Sequence, residues 1–164
     1  MATLPIAWPV ARWHANRYRA LRMSGDTTYR HQHRVAALLV QLFPAAPRSA
    51  VDYAASHDDH ECVIGDIPAT EKRHWSPELA ALYTQREAAV RAEMGLPECP
   101  PDWQQQVKLV DRLDAYMWAM YWCPQAAADD EWISQRALLL SSAAILGVED
   151  AVIELIDDAP RGVM

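Results

Sequence analysis

Glycine and phenylalanine are scarce in this chain: five glycines and one phenylalanine in 164 residues. Runs of β-branched residues are scarce as well, so the composition argues against an all-β fold. Cysteine is thin. Cys62, Cys99 and Cys123 are odd in number, widely spaced and contain no Cys-x-x-Cys pair. That excludes a disulfide framework or a cysteine-held structural zinc and points to reduced thiols in a cytoplasmic setting. Positive charge is in deficit, with 15 Lys and Arg against 22 Asp and Glu and a net charge of −7. A broad basic footprint for extended nucleic acid is therefore absent, although two or three local cations suffice to hold one nucleotide. No long apolar run is present. The longest, residues 137–147, carries Ser141 and Ser142 and is too short to span a bilayer. The start of the chain lacks a basic stretch followed by an apolar signal core, so a soluble protein with no membrane partner is expected.

What remains is 51% hydrophobic and 23% charged, the balance of one globular domain over residues 1–164. Helical periodicity dominates. A first helix is expected over residues 9–19, and a second, capped by Asp26 or Thr27, should reach Phe43 before Pro44 and Pro47. Ser49 should open a third that carries Val51, Ala54, Ala55 and His57, ending before Gly65 to Pro68. Ser76-Pro77 reads as a cap with proline at the first helical position, opening a helix to Met94. Asp102 should cap a long helix to Trp122, followed by helices over 127–146 and 148–156. The expectation is an all-α bundle of six to seven helices. Tyr116, Trp118 and Trp122 sit at core spacing on the long helix, and seven tryptophans suggest large apolar faces suited to a subunit interface.

The chemistry concentrates in His57-Asp58, with Glu61 four residues after the histidine. A neutral nitrogen ligand beside a carboxylate suits a divalent cation, and Glu61 would share their face if the helix continued. Neighbours in mid-helix diverge by about 100°, so His57 and Asp58 can meet one ion only at a helix end. A polar surface turn would carry the same run. His31 lies on the apolar side of the second helix with Val35, Leu38, Leu39 and Leu42, whereas His33 points away. A lone inward histidine is more often a core residue than a ligand. With His57, Asp58 and Asp111 in the chain, His31 can complete a four-ligand set.

Three motifs carry a resemblance: His31-x-x-x-Val35-Ala36; His57-Asp58-x-x-Glu61-x-x-x-Gly65-Asp66-Ile67-Pro68-x-x-x-Lys72; and Asp111 ahead of Leu113-x-Ala115-Tyr116. With Arg12-Trp13 near the start, this ordered set resembles the HD-domain 5′-deoxynucleotidases, whose scaffold is shared by small phage-type deoxynucleoside triphosphohydrolases. The likeness covers about residues 10–120. It implies an HD-type helical domain in which His31, His57, Asp58 and Asp111 ligate one divalent ion, with cobalt, manganese, zinc, nickel and magnesium all compatible. Asp58 and Glu61 would be catalytic, Glu61 acting on the attacking water or the leaving oxygen. Arg12 would clamp phosphate, Trp13 would pack on sugar or base, Asp66 would contact the sugar hydroxyls, and Lys72 would help neutralise phosphate charge. The implied activity is release of phosphate from deoxynucleoside 5′-monophosphates. The alternative is release of a whole triphosphate from deoxynucleoside triphosphates, in a homodimer or higher homo-oligomer.

A nucleotide-binding protein without turnover would be expected to have lost a ligand, yet the four ligands and Glu61 occur together. Two departures stand out. The interval from His31 to His57 is short for that family, trimming the connection between the second and third helices. Asp114, one turn beyond Asp111, is not part of the family pattern. It is either an extra pocket carboxylate or, the favoured expectation, a partner for Arg112 or Lys108.

Overall fold

Thr27 adopts extended backbone (φ −122°, ψ 151°), and its hydroxyl accepts the Arg30 N–H at 3.2 Å, opening α1, Thr28–Leu42. The computed structural model describes residues 25–67, 72 and 74–158. The helix expected over 9–19 lies outside them, with Arg12, Trp13 and His14. Seven α-helices and no strand occur among the described residues, as the periodicity predicts. After α1 come α2 (Arg48–Ala54) and α3 (Glu61–Ile64). Next are α4 (Pro77–Met94), α5 (Gln104–Trp122), α6 (Asp130–Ile145) and α7 (Glu149–Asp158). No helix among these residues is long and apolar enough to cross a membrane.

Local chemistry sets most boundaries. Ser76 caps α4 through the Leu79 N–H, and Gly95 ends it at φ 65°, where the Leu96 N–H returns to the Arg91 carbonyl. Asp102 does not cap α5. Pro101 already starts a 3-10 turn, Pro101–Trp103, so winding begins before Asp102 and leaves it inside the first turn. A second 3-10 turn, Pro124–Ala128, takes up the start expected for α6, and Asp129 then caps that helix through the Glu131 N–H at 3.0 Å.

The core lies between α1 and α5. Val35, Leu38, Leu39 and Leu42 of α1 meet Val107, Val110, Leu113 and Tyr116 of α5, with α2, α6 and α7 closing the sides. Each leucine so buried contributes about 1.5–3 kcal/mol. Tyr116 packs here as expected, but Trp122, the last residue of α5, is 39% exposed because it lies past the core. Trp118 instead lies under the Arg34 guanidinium, 4.2 Å from its ring centre. α4 behaves differently: of its 18 residues only Val90 is buried, and Leu79 and Leu82 are exposed. Arg91 holds this helix in place, donating to the His57 carbonyl at 2.6 Å and the Pro97 carbonyl at 2.7 Å.

Candidate functional site

Three segments converge at one end of the α1–α5 interface. His31 faces inward from the first turn of α1 and is 1% exposed; His33, as its position predicts, is exposed. Asp111 comes from the middle of α5. His57 and Asp58 come from the turns that follow α2, and here the structure corrects the expected helix. α2 stops at Ala54, so Glu61 does not share a helical face with His57. The reason is competition for backbone groups: the Ser56 hydroxyl takes the Asp52 carbonyl at 2.8 Å, and His57 Nδ1–H takes the Ala54 carbonyl at 2.8 Å. Residues 55–60 then wind through tighter turns, with the Asp59 N–H on the Ser56 carbonyl and the Glu61 N–H on the Asp58 carbonyl. Released from mid-helix divergence, the neighbouring side chains meet, His57 Nε2 lying 3.3 Å from Asp58 Oδ2.

The other separations are similar. His31 Nε2 is 3.7 Å from Asp58 Oδ2 and 3.0 Å from Asp111 Oδ1, which is 3.7 Å from His57 Nε2. Ligand atoms of His31, His57 and Asp58 all lie within 4.8 Å of one another. Ligands held at about 2.0–2.2 Å in a tetrahedron stand about 3.3–3.6 Å apart, so these three groups could hold a divalent cation, with Asp111 close to both imidazoles but outside the compact set. The donor state fits as well. His57 commits Nδ1–H to a carbonyl, leaving buried Nε2 with no hydrogen-bond partner. A buried ring nitrogen without a hydrogen bond, facing two carboxylates and a second imidazole, is a position a cation would satisfy once the ring is neutral.

Charge couples the four groups. Burial alone would lower the His31 pKa, but hydrogen bonds to Asp111 and Asp114 leave it well above its ordinary value of 6.5. His57 follows: burial lowers it, and Asp58 and Asp111 more than offset that. Burial would raise Asp111, but the two imidazoles hold its carboxyl far below the usual range. Glu61 is pushed up to about 10 by burial and then by Asp58 and Asp66, against the pull of Lys72 and His31. Asp66 is buried beside this group, whereas Lys72 is exposed, its ammonium 4.8 Å from the Tyr83 ring centre.

A pH prediction follows from these directions. His31, His57 and Glu61 all bind protons more tightly in the folded chain, so their stabilisation is complete only below the ordinary values, 6.5 for the histidines and 4.5 for Glu61, and is lost as pH rises through the raised values. The metal-free protein should lose about 3–6 °C in Tm between pH 6 and pH 9. Manganese at a hundredfold excess over its Kd should reverse that trend, raising Tm by about 6–10 °C at pH 8, because binding needs the deprotonated ligands. Scanning calorimetry at both pH values checks it; a pH-independent metal effect would contradict the ligand assignment.

Sequence reasoning missed the support behind His31. Asp114 is not paired as expected with Arg112 or Lys108. It is 4% exposed, and its Oδ2 accepts His31 Nδ1–H at 2.7 Å. Arg34 grips the same carboxylate, Nε donating to Oδ1 at 2.7 Å, and reaches Asp26 with its remaining nitrogens at 2.7 and 3.0 Å. The signal was present: His31 and Arg34 stand one turn apart on α1, opposite Asp111 and Asp114, one turn apart on α5. His60, which no spacing singled out, is buried with Nε2 3.4 Å from Glu87 Oε1 on α4.

A cavity of about 260 Å³ opens beside the ligands, bounded by His57 and Asp111 and lined by Tyr53, Gln104, Val107 and Lys108. It is the size of a sugar or a base, below the roughly 300–1,000 Å³ of pockets that enclose larger ligands. Of the residues assigned to substrate, Asp66 and Lys72 lie on the Glu61 side, and Arg12 and Trp13 fall outside the described residues. Set against known proteins, this chain matches no family model, no curated protein and no solved structure at a significant level.

Proposed function

We propose that this protein is a metal-dependent phosphohydrolase acting on deoxynucleotides, in the manner of the HD-domain 5′-deoxynucleotidases its motifs resemble. One observation carries the reading. The imidazoles of His31 and His57 and the carboxylate of Asp58, from α1 and the turn after α2, bring ligand atoms within 4.8 Å of one another, Asp111 of α5 lies 3.0 Å from His31 and 3.7 Å from His57, and His57 Nε2 is buried without a hydrogen bond. A cation held there would polarise a phosphoryl oxygen and lower the pKa of water. The chain's own part is to place the proton. Glu61, held protonated by burial and two neighbouring carboxylates, is a proton donor for a leaving oxygen. Positive charge close by would bring it back toward neutral pH, where it can also accept a proton from water. On the resemblance, Asp66 and Lys72, which interact with Glu61, would meet sugar hydroxyls and phosphate, and Arg12 and Trp13, outside the described residues, would bind phosphate and sugar or base.

Monophosphate release is the first choice. The second reading, release of triphosphate, draws on Lys108, whose ammonium-bearing chain lines the cavity one turn before Asp111. A cation there would complement a longer phosphate chain. The test is a panel of deoxynucleoside mono- and triphosphates with manganese, cobalt, zinc, nickel and magnesium, products separated by chromatography. Free phosphate from monophosphates supports the first reading and intact triphosphate the second. No hydrolysis of any member with any metal overturns both.

A further inference from the structure

We propose that Asp114 is the positioning residue for His31, fixing its imidazole with Nδ1 protonated and Nε2 turned toward the metal centre, while Arg34 holds Asp114 in register. The inference rests on reading the His31, His57, Asp58 and Asp111 cluster as a metal centre. It adds a residue that the family pattern does not contain.

The geometry is specific. A carboxylate oxygen can only accept, so the 2.7 Å contact between Asp114 Oδ2 and His31 Nδ1 places the proton on that nitrogen. His31 Nε2 faces the site and, without a metal, donates to Asp111 at 3.0 Å, with Asp58 3.7 Å away; a bound cation would take the place of that proton while Nδ1–H stays on Asp114. A carboxylate behind a ligating imidazole fixes the ring and strengthens the lone pair on the far nitrogen. With His31 and Asp114 only 1% and 4% exposed, water cannot readily take over that role. Asp114 is in turn held by two bonds from one guanidinium, Arg34 Nε at 2.7 Å and the second terminal nitrogen at 3.0 Å. That guanidinium makes a matching pair of bonds to Asp26 at 3.0 and 2.7 Å and lies over Trp118. The fork leaves Arg34 little freedom to swing away.

A purely structural role makes a different prediction. Asp26 and Asp114 are both buried carboxylates sharing the same arginine, so removing either should cost stability alike. Of the two, Asp114 is the one that accepts the His31 Nδ1 proton. Zinc titration calorimetry on metal-free wild type, Asp114→Ala, Asp114→Asn and Asp26→Asn separates the two. Expected is a 10- to 100-fold weaker zinc Kd for Asp114→Ala. Partial recovery is expected in Asp114→Asn, whose amide oxygen still accepts the Nδ1 proton. A change of less than about threefold is expected for Asp26→Asn, although its Tm falls. In metal-free wild type, nitrogen-15 NMR should show a slowly exchanging His31 ring proton on Nδ1, lost in Asp114→Ala. Equal zinc affinities for Asp114→Ala and wild type, or equal losses for Asp114→Ala and Asp26→Asn, overturn the proposal. If Asp114→Ala does not fold, Asp114→Asn is judged by the same threefold limit. A wild type that binds no zinc, manganese or cobalt removes the metal centre itself and this proposal with it, a failure distinct from a bound metal indifferent to Asp114.

Discussion

Glu61→Gln should retain metal affinity to within a few-fold while lowering deoxynucleotide turnover by about 10²- to 10⁴-fold. The substitution keeps the volume and a hydrogen-bonding head but removes the exchangeable acid proton. Glu61 is held up to about 10 by burial, Asp58 and Asp66, which marks a carboxyl whose proton is available to a reacting oxygen. Asp58→Ala should differ, losing metal binding and turnover together, because its Oδ2 lies 3.3 Å from His57 and 3.7 Å from His31. Calorimetry for the metal and steady-state kinetics for the nucleotide separate the two classes. Undiminished turnover in Glu61→Gln would falsify its role as the proton-transfer group.

Arg34→Met should cost about 3–5 kcal/mol of stability, because it removes a guanidinium that bonds two buried carboxylates at once and leaves Asp114 with His31. Asp26 is 0% exposed and Asp114 is 4% exposed, and both take short bonds from this one guanidinium. For a chain of this size the loss corresponds to a Tm fall of about 10 °C or more. Denaturant titration at pH 7 tests it. A loss below about 1 kcal/mol would show that water enters and solvates the pair.

The helical architecture was legible because its signals are local. Ser76-Pro77 opens α4, and Thr27 opens α1, each through its own hydroxyl. Val35, Leu38, Leu39 and Leu42 repeat at helical spacing and form the face they predict. Asp102 misled because a proline one residue earlier had already begun the turn. At the site, the convergence of His31, His57, Asp58 and Asp111 came from an ordered motif, which periodicity alone could not supply. The break after Ala54 was missed because polar side chains there outbid the helix for carbonyls, a competition propensity does not rank. Asp114 was misassigned for a related reason. Neighbours on its own helix offered nearby cations, whereas its actual partners sit on α1, far away in sequence.

α4 gives the molecule a weak seam. Eighteen residues long with one side chain buried, it meets the turn of His57 and Asp58 through Arg91, which grips the His57 carbonyl, and through Glu87 beside His60. Fraying of that helix lets go of the carbonyl and slackens half of the donor set, while Leu39 and Leu113 stay packed. Grip on an ion at the proposed centre and integrity of the bundle would thus part company: that centre would come undone in a chain that by every global measure is still folded.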